Sequence, residues 1–131
     1  MTRGRAIRFA ALAVAGALSA GGFSPGAAAA HSLLVRSEPG RSATVTRAPE
    51  RVRLWFSERI EPAYATLSVW SEAGTQADAG DAAVDSNDPA LLSVSTPPLG
   101  PGRYTARFRV LSVDGHVVES SFAFTVKAAA R

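Results

Sequence analysis

Arg103-Tyr104-Thr105-Ala106-Arg107-Phe108-Arg109-Val110 sets an apolar or aromatic side chain at every second position and a polar one between. Successive side chains of an extended chain point to opposite faces, so Tyr104, Ala106, Phe108 and Val110 share one side and Arg103, Thr105, Arg107 and Arg109 the other. Val118, Ser120, Phe122, Phe124 and Val126 repeat the pattern downstream, with Ala123 and Thr125 outward. Asp114-Gly115 lies between the two runs and is a strong two-residue hairpin signal. The stretch therefore predicts two long antiparallel strands, each burying half of itself.

Working outward, Arg51-Val52-Arg53-Leu54-Trp55-Phe56 alternates with Val52, Leu54 and Phe56 on one face, and Ala65–Trp70 alternates with Ala65, Leu67 and Val69 together. Further strands are expected near Ser32–Ser37, Thr44–Thr46 and Leu91–Ser95. Turn residues separate the runs at Pro39-Gly40, Ala73-Gly74, Pro97–Gly102 and Asp114-Gly115. Residues Gln76 to Pro89 hold Asp78, Asp81, Asp85 and Asp88 and read as a long surface loop with at most one edge strand. No ten-residue stretch has helical periodicity. About seven short strands in about 100 residues predict an all-β fold, a two-sheet antiparallel sandwich or a small barrel. Trp55 and Trp70 fall opposite the apolar residues of their strands, which leaves two readings: outer faces that are partly covered, or a ring packed near a functional end.

The N-terminus belongs to a different kind of chain. Arg3, Arg5 and Arg8 precede an apolar run of 12 residues, Phe9–Ala20, and the small residues Ala27–Ala30 follow. This is the layout of a secretory signal peptide, and the run is short of the about 20 residues that span a bilayer. The predicted division is a signal peptide over residues 1–30 and one domain over residues 31–131. The three arginines carry the whole net charge of +3, because the other 11 basic residues and all 11 acidic ones lie beyond residue 30. The processed chain is neutral, and nothing in its bulk charge points to nucleic acid. No later stretch is long and apolar enough to span a membrane.

The composition excludes several chemistries. There is no Cys and the single Met is Met1, so thiolate nucleophiles, iron–sulfur clusters, zinc ribbons and thioether ligands are absent. No Gly-x-Ser-x-Gly elbow or Gly-rich phosphate loop occurs. The two histidines are His31 and His116. Cleavage after Ala30 would make His31 the first residue, whose α-amine and imidazole can chelate one metal ion; His31 is otherwise simply the residue that follows a cleavage site. Asp114-Gly115-His116 reads as a tight turn, as a place where an oxygen and a nitrogen converge, or as both. His31, Asp114 and His116 together would offer three nitrogens and one oxygen with no sulfur, a set that favours Cu(II), then Ni(II) or Zn(II).

The residues resemble the CopC family of periplasmic copper-resistance proteins. The resemblance spans residues 31 to 127 and is carried by His31-Ser32-Leu33-Leu34, Ser37-Glu38-Pro39, Leu54-Trp55-Phe56-Ser57-Glu58, Pro101-Gly102-Arg103-Tyr104, Val113-Asp114-Gly115-His116 and Phe122-Ala123-Phe124. It implies an immunoglobulin-like, Greek-key β-sandwich and a soluble, non-enzymatic periplasmic Cu(II) carrier or buffer that serves copper resistance or hands copper to an inner-membrane copper transporter. The family's ligands would fall on His31, Asp114 and His116. Glu58 matches an acid close to the copper, although it also reads as a solvated residue where a strand ends. Members that also bind Cu(I) carry a methionine-rich loop and a further His; the processed chain has neither, which implies a Cu(II)-only type.

Two other classes of function are open to these residues. A copper oxidase can use the same N-terminal His clamp, but about 100 residues leave little surface for an extended substrate, and an anionic Asp ligand would hold copper oxidised. A metal-free immunoglobulin-like interaction module would use Asp114-Gly115 only as a turn. The Arg103, Arg107 and Arg109 stripe reads as a solvated face or as a dock for an acidic partner.

Overall fold

The computed structural model describes residues 33–128; the predicted signal peptide and His31 lie outside them. Eight strands follow in chain order: β1 (Leu34–Glu38), β2 (Thr44–Val45), β3 (Arg51–Phe56), β4 (Thr66–Ser71), β5 (Ala83–Val84), β6 (Leu91–Ser95), β7 (Gly102–Leu111) and β8 (Val117–Val126). They form two four-stranded sheets, ordered β1-β3-β6-β5 and β2-β8-β7-β4. All pairs are antiparallel except β2 with β8, which is parallel. This is the immunoglobulin-like sandwich. The count exceeds the expected seven because the loop from Gln76 to Pro89 does carry an edge strand, β5. Beyond Leu33, the helical content among the described residues is one 3-10 turn at Pro62–Tyr64, where proline at the start fixes a compatible φ.

The alternation read from the sequence is the alternation of burial. Val52, Leu54 and Phe56 of β3 face Tyr104, Ala106, Phe108 and Val110 of β7 across the sandwich, and all are buried. Phe56 and Phe108 meet edge to face at 5.6 Å, joining the two sheets, and Tyr104 stacks on Phe124 at 5.6 Å within one. Such aromatic pairs add about 0.5–1.5 kcal/mol beyond the area they remove from water. The Tyr104 hydroxyl donates to the Gly100 carbonyl at 2.7 Å, tying the loop before β7 to the strand it feeds.

Both tryptophans lie on the outer faces, half-buried under arginines. The Arg36 guanidinium stands 4.5 Å from the Trp55 ring centre and that of Arg107 5.3 Å from Trp70. The outer faces are thus partly covered, and Trp70, paired with Thr105, sits away from the β7–β8 turn. The arginine stripe is similarly engaged: Arg107 covers Trp70, and Arg109 approaches Glu119 at 3.9 Å.

The acidic loop is organised by its own carboxylates. Asp78 accepts from the Val69 and Gly80 amides, Asp81 from Ser95, Asp85 from Asn87 and Asp88, and Asp88 from Ala90. Hydrogen bonds from Ser95 hold the Asp81 carboxyl below its ordinary range. These side chains replace the backbone partners that an irregular segment lacks.

Leu54 is fully buried at the centre of β3. Leu54→Ala is expected to lower stability by about 2–5 kcal/mol through lost burial and an unfilled cavity. Urea unfolding of the metal-free protein checks this: the midpoint should fall with an unchanged slope.

Candidate metal centre

The candidate residues converge where β7 turns into β8. The ladder closes at Leu111↔Val117, after which the Ser112 amide donates to the His116 carbonyl and the Gly115 amide to the Ser112 carbonyl, both at 2.9 Å. Val113, Asp114 and Gly115 therefore make the turn, which is one residue longer than the two-residue Asp114-Gly115 turn expected. Gly115 has φ +93°, a left-handed value that suits a residue without Cβ and closes a three-residue hairpin. The turn is fastened from the side by an Ile60↔Ser112 bridge and by the Val113 amide donating to the Arg59 carbonyl at 3.0 Å.

The segment Ser57–Ile60 that fastens the turn also brings Glu58 to it. Glu58, Asp114 and His116 are thereby assembled at one end of the sandwich from two segments far apart in sequence. Asp114 Oδ1 lies 3.1 Å from His116 Nδ1, and both side chains are exposed, His116 the more so. Leu33 reaches the same end, its carbonyl accepting from the Ser57 amide at 2.7 Å. His31 lies outside the described residues. Among the described residues no group of three or more His, Cys, Asp or Glu side chains is arranged to hold a metal ion.

Sequence reasoning missed Ser112. It is 1% exposed, its hydroxyl donates to Asp114 Oδ1, and it accepts from the His116 amide at 3.1 Å. A serine two residues before an aspartate at a strand end reads as an ordinary polar residue; only the Ile60 bridge, a long-range pairing, buries it.

The carboxylates differ in charge preference. Asp114 is held down to about 2, first by the Ser112 hydroxyl and further by its hydrogen bond with Glu58 and by His116, against the effect of burial. Glu58 is raised above its ordinary 4.5, first by sharing that hydrogen bond with Asp114, then by burial and Asp114's charge, against the lowering effects of His116 and Ser112. Glu58 is thus the easier of the two carboxylates to protonate. Its Oε2 is buried with no hydrogen-bond partner, so Glu58 is not the solvated strand-end residue that the sequence also allowed. A buried, unpartnered carboxylate oxygen is costly and marks a place suited to a proton or a cation.

The CopC domain model matches residues 34–127. This chain belongs to the CopC family. CopC relatives include copper resistance protein C of Xanthomonas campestris pv. juglandis, 32% identical over 125 residues that cover 91% of this chain and 98% of that one. The crystal structure of CopC from Methylosinus trichosporium OB3b superposes with a TM-score of 0.70 at 36% identity, covering 77% of this chain and 98% of that one. Copper transport protein CutJ of Bacillus subtilis (strain 168) is 26% identical over 105 residues, 79% of this chain but 19% of CutJ. The matched CopC region begins at residue 34, beyond His31, and includes Glu58, Ser112, Asp114 and His116.

The opposed shifts give opposite signs to stability. Asp114's depressed value contributes stability above its ordinary 3.8 that is lost as pH falls toward 2. Glu58's raised value favours the fold below its ordinary 4.5, and that benefit is lost as pH rises and Glu58 ionises. Glu58→Gln, which mimics the protonated form, is therefore expected to raise the Tm of the metal-free protein at pH 7, with the gain shrinking toward pH 4. An unchanged or lower Tm at pH 7 would refute the assignment.

Proposed function

We propose that this chain is an exported, non-catalytic Cu(II) carrier that binds one ion through the α-amine and imidazole of His31 together with Asp114 and His116, with Glu58 beside the ion. Copper binding in general follows from the CopC family; the ligand set and the Cu(II) preference are read from this chain's own residues. The observation that carries the reading is the pairing of Asp114 with His116 on a turn fastened to the segment that holds Glu58. This donor set is hard to borderline in character, which suits Cu(II).

Chain connectivity supports His31 as the remaining ligand. It lies two residues before Leu33, within about 7 Å of it even when fully extended, and Leu33 is anchored beside Ser57. Processing after Ala30 would free its amine, consistent with export to the periplasm by residues 1–30. The absence of any Met after Met1 and of a third His supports a Cu(II)-only type, since Cu(I) calls for soft sulfur ligands. That a copper transport protein, CutJ, includes a related stretch supports a membrane copper transporter as the partner that delivers or receives the ion. The ion is cargo here, and the protein's part is to hold it oxidised and release it.

A competitive Cu(II) titration of the protein beginning at His31, run beside the same chain with one Ala ahead of it, tests the ligand set. The expected result is one-to-one binding that the added Ala weakens by orders of magnitude. Affinity should also fall as pH drops below neutral, because protons compete with the ion for the nitrogen donors. Equal binding by both chains would remove the His31 amine from the site, and no binding by either would leave a metal-free interaction module.

A further inference from the structure

The hydrogen-bond inventory around Ser112 decides more than the shape of a turn. Its hydroxyl accepts from the His116 amide at 3.1 Å, so its single proton is free for Asp114 Oδ1, to which it donates. Asp114 is ionised at neutral pH and can only accept. Its 3.1 Å contact with His116 Nδ1 therefore requires the proton to sit on Nδ1. Oδ1 then has both lone pairs occupied, one by Ser112 and one by His116, and Oδ2 is the oxygen open to Glu58 or to an ion. With Nδ1 protonated, the imidazole keeps its lone pair on Nε2.

We propose that Ser112 is the positioning residue of the site: its buried hydroxyl pins Asp114 Oδ1, Oδ1 holds His116 Nδ1–H, and Asp114 Oδ2 and His116 Nε2 are thereby selected as the donor atoms. The inference rests on the copper reading for its consequence and on the metal-free geometry for its cause. Ser112 itself touches no ion. Ser112 is 1% exposed, so its hydroxyl is confined to its protein partners, the Asp114 carboxylate and the His116 amide. Partners that orient a metal ligand in this way change affinity by about 10–100-fold when removed.

The test uses the protein beginning at His31, with Ser112→Ala and Ser112→Thr beside it. Long-range nitrogen NMR of the metal-free proteins at neutral pH reads the His116 tautomer. Cu(II) titration and the EPR spectrum of the loaded proteins read affinity and donor geometry, and circular dichroism confirms folding. The expected result is an Nδ1–H tautomer in the unaltered protein and a mixed tautomer in Ser112→Ala. Ser112→Ala should also bind Cu(II) about 10–100-fold more weakly, with altered EPR parameters, and Ser112→Thr should restore all three. An Nε2–H tautomer in the unaltered protein overturns the proposal, even if Ser112→Ala does not fold. A folded Ser112→Ala with unchanged affinity and spectrum overturns it too. Failure of the unaltered protein to bind Cu(II) defeats the copper reading and the donor selection with it, and is distinguishable because the tautomer is measured without metal.

Discussion

Ten backbone pairs, from Gly102↔Val126 to Leu111↔Val117, lock β7 to β8, and the rest of the molecule is arranged on that ladder. A slip of one residue would turn outward either Tyr104 and Phe108 or Phe122 and Phe124, so burial of one face fixes the register. β4 pairs along the other side of β7 and β2 along the other side of β8. The second sheet is reached through Phe108 against Phe56. Because the register is fixed by the core, the residues at the closed end of the ladder inherit a fixed place.

That inheritance explains why a short exposed turn can hold chemistry. Asp114 and His116 are exposed, yet their backbone is tied on both sides, by Ser112 within the hairpin and by the Arg59–Ile60 segment across it. The metal-free arrangement is not fully satisfied: Glu58 Oε2 is buried without a partner beside a carboxylate held ionised. Local dissatisfaction of this kind is tolerated where a ligand later relieves it.

The fold was legible wherever burial follows strict alternation. Val52, Leu54 and Phe56, or Tyr104 to Val110, announce their strands because each lies between solvent on one side and a core on the other. Trp55 and Trp70 broke the pattern, and the reason is a neighbour that sequence order does not reveal: Arg36 reaches Trp55 from the paired strand, and Arg107 reaches Trp70 from the next one. The aspartates of the long loop were visible as acids but not as backbone acceptors, since their partners Val69 and Ser95 belong to other elements. At the candidate site, Asp114 and His116 could be named from residue type and spacing, and Glu58 only through the family resemblance. Ser112 could not, because its burial comes from pairing with Ile60, and the turn length could not, because Asp-Gly suits more than one hairpin geometry.

The sheet margins carry a consequence for the protein among its neighbours. Two of the four margins, β2 and β5, are strands of only two residues, and β1 is interrupted by a register shift between Leu34 and Arg36. A foreign extended segment seeking to add itself to either sheet finds little continuous row of free amides and carbonyls along those margins, and Arg36 and Glu38 place charge on the longest of the three. The fourth margin, β4, is covered at Val69, whose carbonyl accepts from the Ala77 amide and whose amide donates to Asp78, so the borders of this β-rich chain, which has no disulfide to brace it, offer little purchase for fibrous self-association.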